Sequence, residues 1–457
     1  MRRSMALIGI LATIAFCIAC GRYDGEPTPN VRELSLKAAS ADPTVARPAI
    51  AAVRAWGQSG LDTMLYVFRD AVRHQREDPT HPEATWPRIA AAIDAVAAQK
   101  DAWASELYWY TDLDAAKREA KRTGKPILSL RLLGTLDTEF SCANSRFFRT
   151  VLYPNQDVRQ MLRNNYVLHW QSHRPVPHLT IDFGDGRKIE RTITGNSVHY
   201  VLTPDGKVID ALPGLYGPAP FLKALQDLRT LAATYEQPDF ASRLVTYHEI
   251  RLELTRRAWA EDLLAVGAST AQMSRLSKPA GNTSAWAATR ITAAKAAAET
   301  GPVVALSRDR AALAKGTDDA TWTKIAALHT ADGRLDAASR AVILSKVGNG
   351  AGAGANAVAA NNRTVGKRIV EDPVTRLVRN FERSVAEDTA RNEYGFHTQI
   401  HDWFVSGQIP ASLDDLNERV YAELFLMPKT DPWLGLVPAD AYTALPTETP
   451  VARAPRP

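Results

Sequence analysis

Once the N-terminal segment is set aside, the chain keeps a single cysteine, so no intrachain disulfide can staple it and its fold must be held by apolar burial. The three cysteines are Cys17, Cys20 and Cys142. The first two lie in a stretch that reads as an export signal. Arg2 and Arg3 form a positive start, and Met5 to Ile18 is apolar and uncharged. That run falls short of the ~20 residues of a membrane span and suits a signal core. Its removal would take Cys17 away, and Cys20 would be modified or lost at the same boundary.

The run Cys17-Ile18-Ala19-Cys20 resembles a bacterial lipobox, whose cysteine is acylated and becomes the new N-terminus. Cys17 stands where Leu is usual. The resemblance implies a periplasm-facing lipoprotein attached through Cys20, and Gly21 after it points to the outer membrane. The alternative is cleavage near Ala19 with no lipid. Arg2-Arg3 alone make only a weak twin-arginine signal. No other stretch reaches ~18 apolar residues, so no second span is expected. The formal charge is +5 over 457 residues, with no basic stripe that would argue for nucleic acid.

Composition divides the chain. Residues 1–20 read as signal and 21–30 as a tether with two prolines. Residues 31–104 are helical in pattern. Ala49, Val53 and Trp56 fit one face, Leu61, Met64, Leu65 and Phe68 another, and a Pro-containing break at 78–82 precedes a helix at Trp86 to Ala98.

Residues 105–235 change character. Leu107 to Tyr110 is a short β-prone run. Asp112 can cap a helix that Gly124 ends. Ile127 to Leu132 reads as a buried strand, Cys142 to Leu152 as a helix opened by Ser141, and Tyr166 to Trp170 as a strand. Two hairpins are expected. One pairs 179–183 with 187–193, and the other pairs 199–202 with 207–210 across Thr203-Pro204-Asp205-Gly206. A helix from Phe221 to Thr234 closes the block. Residues 236–445 return to helix, with Phe240 to Val266, Ala285 to Thr300, Leu335 to Lys346, Val374 to Ala390 and Leu413 to Leu426 as candidates. Gly348 to Asn362 reads as a loop and 446–457 as a disordered tail.

The central block resembles the thioredoxin-like superfamily. The resemblance rests on Asp112 to Ala116, on Gly124-Lys125-Pro126-Ile127-Leu128, on the Cys142 helix, on Tyr166-Val167-Leu168, and on a Pro-Asp-Gly hairpin running into Leu212-Pro213-Gly214. It covers about residues 106–234. The expected fold is therefore α/β: a thioredoxin-like domain with an inserted hairpin, flanked by mainly α-helical N- and C-terminal regions. The family motif is C-x-x-C, and here it is Cys142-Ala143-Asn144-Ser145. The slot of the family's cis-proline falls at Ser197, so the substrate groove would be altered. Fold transfers by such a likeness more safely than activity.

The resemblance makes Cys142 and Ser145 the catalytic candidates and Ser197 the groove residue. A helix start favours thiolate, and Arg146 and Arg149 would help if they turned towards it. A C-x-x-S site can form a mixed disulfide but cannot resolve it with a second thiol. Its partners would be a thiol or disulfide protein, or glutathione. The alternative is a buried, inert cysteine in an envelope protein that uses a degenerate thioredoxin fold for interaction. No cofactor is expected and no metal site is assigned. Glu393, His397 and His401 could share a helix face, but the H-E-x-x-H pattern is missing and the neighbours Phe396, Ile400, Trp403 and Phe404 suggest ordinary packing. His169, His173, His178 and His199 are read as satisfied or exposed. Asp182 to Gly186 is read as a hairpin turn rather than a calcium loop. No Ser-His-Asp elbow, P-loop or dinucleotide fingerprint is present.

Overall fold

The computed structural model describes residues 29–79, 81–192, 196–272, 319–350, 373–432 and 434. The signal, Cys20, nearly all of the tether, the helix expected at Ala285 to Thr300 and the C-terminal tail lie outside them, as does most of the loop expected at Gly348 to Asn362. The chain is mixed α/β, with many helices around one four-stranded mixed sheet.

Local chemistry accounts for most elements of the central block. Asp112 accepts a hydrogen bond from the Ala115 N–H and opens the helix Leu113–Thr123. Gly124 ends it at φ +68°, a conformation that costs glycine little. Ala116 and Ala120, one turn apart, are its buried residues. The strand β1, Ile127–Leu133, is buried at every position. A run buried on both faces, Ser129 and Arg131 included, suits a central strand with layers on either side.

β1 pairs parallel with β2, Val167–Arg174, and antiparallel with β5, Ser197–Leu202. β5 pairs antiparallel with β6, Val208–Pro213, giving the order β2-β1-β5-β6. Their link is a hydrogen-bonded turn in which the Gly206 N–H reaches the Thr203 carbonyl and Gly206 takes φ +95°. The inserted hairpin forms a separate two-stranded sheet of β3, His178–Asp182, and β4, Lys188–Thr192.

Two expectations for this block change. Leu107 to Tyr110 is no strand; its only sheet contact is a bridge from Tyr110 to His169. It is pinned instead by side chains: the Trp109 Nε1–H donates to Gln99, and Arg54 reaches the Trp109 carbonyl. The expected helix from Cys142 runs through to Leu152, but its start and its winding differ. Cys142 is the N-cap of a short helix, Ala143–Phe147, followed by a π-helical turn, Phe148–Leu152. Ser141 does not cap it.

The N-terminal helices close a core of their own around Val53, Leu61, Met64, Ile93 and Trp103. The C-terminal helices form a small cluster of their own around Leu263, Ile325 and Ala390, but most of their buried side chains join the sheet. Ile400, Trp403, Leu416, Tyr421 and Phe425 belong to the same core as β1 and β5. Two arginines fasten this layer to the sheet. Arg131 on β1 meets Asp414 at 3.0 Å. Arg174 on β2 donates to the carbonyls of Met427, Pro428 and Asp431.

Candidate functional site

Two places in the fold carry chemistry, one past the end of β1 and one on the edge strand β6. At the first, the Cys142 N–H donates to the Leu133 carbonyl, which sets the thiol just beyond the strand. Ser145 follows one turn later. Its Oγ donates to the Cys142 carbonyl at 2.8 Å and lies 3.5 Å from Sγ. Ser197 opens β5 opposite Leu132, with its peptide bond trans. The three sequence candidates are thus close in space.

None of the three meets solvent: Cys142, Ser145 and Ser197 are all 0% exposed. They sit in the core that the sheet shares with the C-terminal layer, with Tyr153 and Tyr421 near the thiol. Tyr421, on the π-helical turn Val420–Leu424, donates its hydroxyl to the Asn196 carbonyl, one residue before Ser197. Burial first, and then the nearness of Cys142, holds the Tyr421 and Tyr153 hydroxyls protonated. The arginines do not serve the thiol either. Arg146 donates to Thr192, and Arg149 donates to Ser141 with Asp101 and Glu139 beside it. Ser197, where the groove was expected to be altered, is buried with the other two.

The four histidines of the central block stay apart. His169 is bonded to Ser129, His199 to Tyr153 and His173 to Asn417, while exposed His178 stacks on Phe140. The Asp182 to Gly186 segment is a hairpin turn in which Asp182 and Asp185 accept local N–H groups.

The second place is built around β6. Asp210 pairs with Val201, which faces Leu128 near the start of β1, so this site lies towards the other end of the sheet from Cys142. Against it packs the π-helical turn Asn392–His397, continued by the helix Thr398–Val405. Glu393, His397 and His401 share a face, as their spacing foretold. Asp210 and His248, the latter from the helix Phe240–Ala265, join them, and no local spacing in the sequence links those two to the rest.

The hydrogen bonds assign most of the protons. His397 Nδ1 lies 2.9 Å from Glu393, and its Nε2 lies 3.1 Å from Asp210. Both partners are carboxylates, so both ring nitrogens donate. Burial opposes a charge on His397, yet Asp210 and Glu393 outweigh it and push the imidazole up to about 9. Asp210, which burial would raise, is held far below the usual carboxylate range by the charged His397 beside it. His248 Nε2 lies 3.0 Å from the Ile209 carbonyl, which only accepts. Burial keeps His248 and His401 neutral. The lone pair on His248 Nδ1 then takes the hydrogen of His401 Nδ1 at 2.8 Å. What remains is His401 Nε2: a bare lone pair, buried and without a partner.

Glu393 ties this cluster to solvent. Arg251 pairs with it at 2.8 Å and the Tyr216 hydroxyl donates to it. All three line a cavity of about 130 Å³, together with His329, Asp332 and Tyr394. No protein-family model matches this chain, and no curated protein or solved structure matches it either.

Proposed function

We propose that this is an exported envelope protein whose thioredoxin-like domain serves as a non-catalytic interaction module. The observation that carries the reading is the complete burial of Cys142 in the core shared by the sheet and the C-terminal helices. A thiol that exchanges disulfides must present its sulfur to a partner sulfur in line, and a covered one cannot. The thioredoxin-like reading itself is supported by sheet order. Two parallel strands are joined through helices, and the strand at His199 to Leu202 lies in the same sheet as the one at Tyr166 to Trp170. Export and anchoring through Cys20 rest on the signal and lipobox alone. Apolar side chains left exposed on the helix Phe240–Ala265, among them Ile250, Leu254 and Leu264, favour the interaction reading.

The deciding measurement is the rate at which Cys142 reacts with a chromogenic disulfide in native protein and in denatured protein. The reading expects slow labelling that follows the population of opened molecules. Prompt labelling of the native state, or a mixed disulfide trapped in envelopes and lost in Cys142→Ser, would return the protein to the redox class. Replacing Cys20 by Ser should release the protein from the membrane fraction if the lipid is there; a wild type already wholly soluble would end that part of the proposal.

A further inference from the structure

We infer that Asp210, His397 and His401 form a binding site for a divalent transition metal of the zinc type. The three residues each offer one ligand atom, and these atoms lie within 4.8 Å of one another. Ligands about 2 Å from a tetrahedral zinc ion sit roughly 3.4 Å apart, so only small side-chain shifts separate this arrangement from a closed one. One pair is already there, with His397 Nε2 at 3.1 Å from Asp210.

The donor set fits the ion. Two imidazoles and one carboxylate are borderline ligands, which suit zinc better than calcium or magnesium. The outer partners are in place as well. A ligating histidine characteristically gives its second N–H to a carboxylate or other acceptor, which fixes the ring. His397 gives Nδ1–H to Glu393, and His401 gives Nδ1–H to His248, which is anchored in turn on the Ile209 carbonyl. Glu393 is held by Arg251.

The second, independent observation is the free nitrogen of His401. The residue is fully buried and Nε2 has no hydrogen-bond partner. A buried polar atom left unsatisfied is destabilising, and here a ligand would satisfy it. The hydrogen that His397 Nε2 now shares with Asp210 occupies the other coordination direction. Binding the ion therefore releases that proton to solvent, and Asp210 exchanges a hydrogen bond for a metal–oxygen bond. Glu393, the outer partner of His397, also lines the cavity that Tyr216 and Arg251 border, so the cluster lies one residue in from that cavity.

The test uses untagged, full-length mature protein, freed of metal by chelator and titrated with zinc alone. One saturable equivalent is expected, accompanied by proton release. Cobalt in its place should give the visible bands of a tetrahedral ion without thiolate charge transfer. His401→Gln and Asp210→Asn should each weaken zinc about 100-fold or more. Exposed His178→Gln and buried Cys142→Ser should bind as wild type does, which separates this site from surface histidines and from the thiol. Should a ligand variant fail to fold, the wild-type titration and cobalt spectrum still decide. No saturable uptake by wild type, an octahedral cobalt spectrum, or unchanged affinity in a folded His401→Gln would overturn the inference.

Discussion

Gly214 ends the run that follows β6 at φ +78°, and a Cβ built there would lie 2.6 Å from the side chain of Asn392. Asn392 cannot swing aside freely, because it is buried and its amide donates to the Leu215 carbonyl. Strain and overlap add, so Gly214→Ala should cost about 2–4 kcal/mol in urea unfolding. A loss under about 1 kcal/mol would show that the seam can give. The sequence places this glycine after a hairpin, where positive φ is no surprise. It says nothing of Asn392, which lies far along the chain. Cys142 teaches the same lesson. Its place at a helix start was legible from Pro126, the buried strand and the loop, but its burial comes from a core that includes Tyr421, far along the chain.

At the scale of elements, the C-terminal segment closes the core that holds the thiol, and Arg174 is one of its two fastenings. One guanidinium serves three carbonyls, at 2.8 Å for Met427, 3.0 Å for Asp431 and 3.4 Å for Pro428. Hydrogen bonds to a charged group contribute about 1.5–3 kcal/mol, so Arg174→Met should loosen the segment by about that much. Cys142 should then label roughly 10- to 100-fold faster under native conditions. Amide exchange in the helix Leu113–Thr123 should be unchanged, since that helix depends on other contacts. Equal acceleration in both places would mean that labelling reports global unfolding instead. That helix has its own test. Asp112→Ala removes the bond to the Ala115 N–H and should cost about 1 kcal/mol by thermal unfolding.

The whole molecule carries a pH dependence through its neutral buried histidines. Burial lowers His199 to about 3, and it lowers His169 to about 3 and His173 to about 4 with help from neighbouring cations. Each folded value lies below the unfolded value near 6.5, so the unfolded chain binds more protons. The stability is present above pH 6.5 and is lost as pH falls towards the folded values. Asp94 works the other way. Burial, offset in part by Lys100, raises it to about 6, and it takes up a proton in the folded state first. His199→Gln keeps an acceptor for the Tyr153 hydroxyl and isolates one histidine. Between pH 6 and 4 the stability of wild type should fall more steeply than that of the variant, by about 1.4 kcal/mol per pH unit. Parallel slopes would show that His199 is already charged in the fold or is reached by water.

What the sequence by itself determined lies within reach of a few residues. The Asp112 cap and Gly124 stop, the all-buried β1, the Thr203 to Gly206 turn and the i, i+4 spacing of Glu393, His397 and His401 are local in cause, and they stand where they were expected. Leu107 to Tyr110 shows the limit of that reasoning. Its β propensity was real, but Gln99 and Arg54 offered its backbone and side chains other partners. Tertiary structure alone decided whether each candidate became a site. Asp210 and His397 stand 187 residues apart in the chain, and Tyr421 covers Asn196 from 225 residues away. Such contacts leave no period in the sequence, because they arise from two layers closing on one core. Burial then acts twice in this protein: it takes the thiol at the end of β1 out of reach, and beside β6 it leaves a histidine lone pair with nothing to bind.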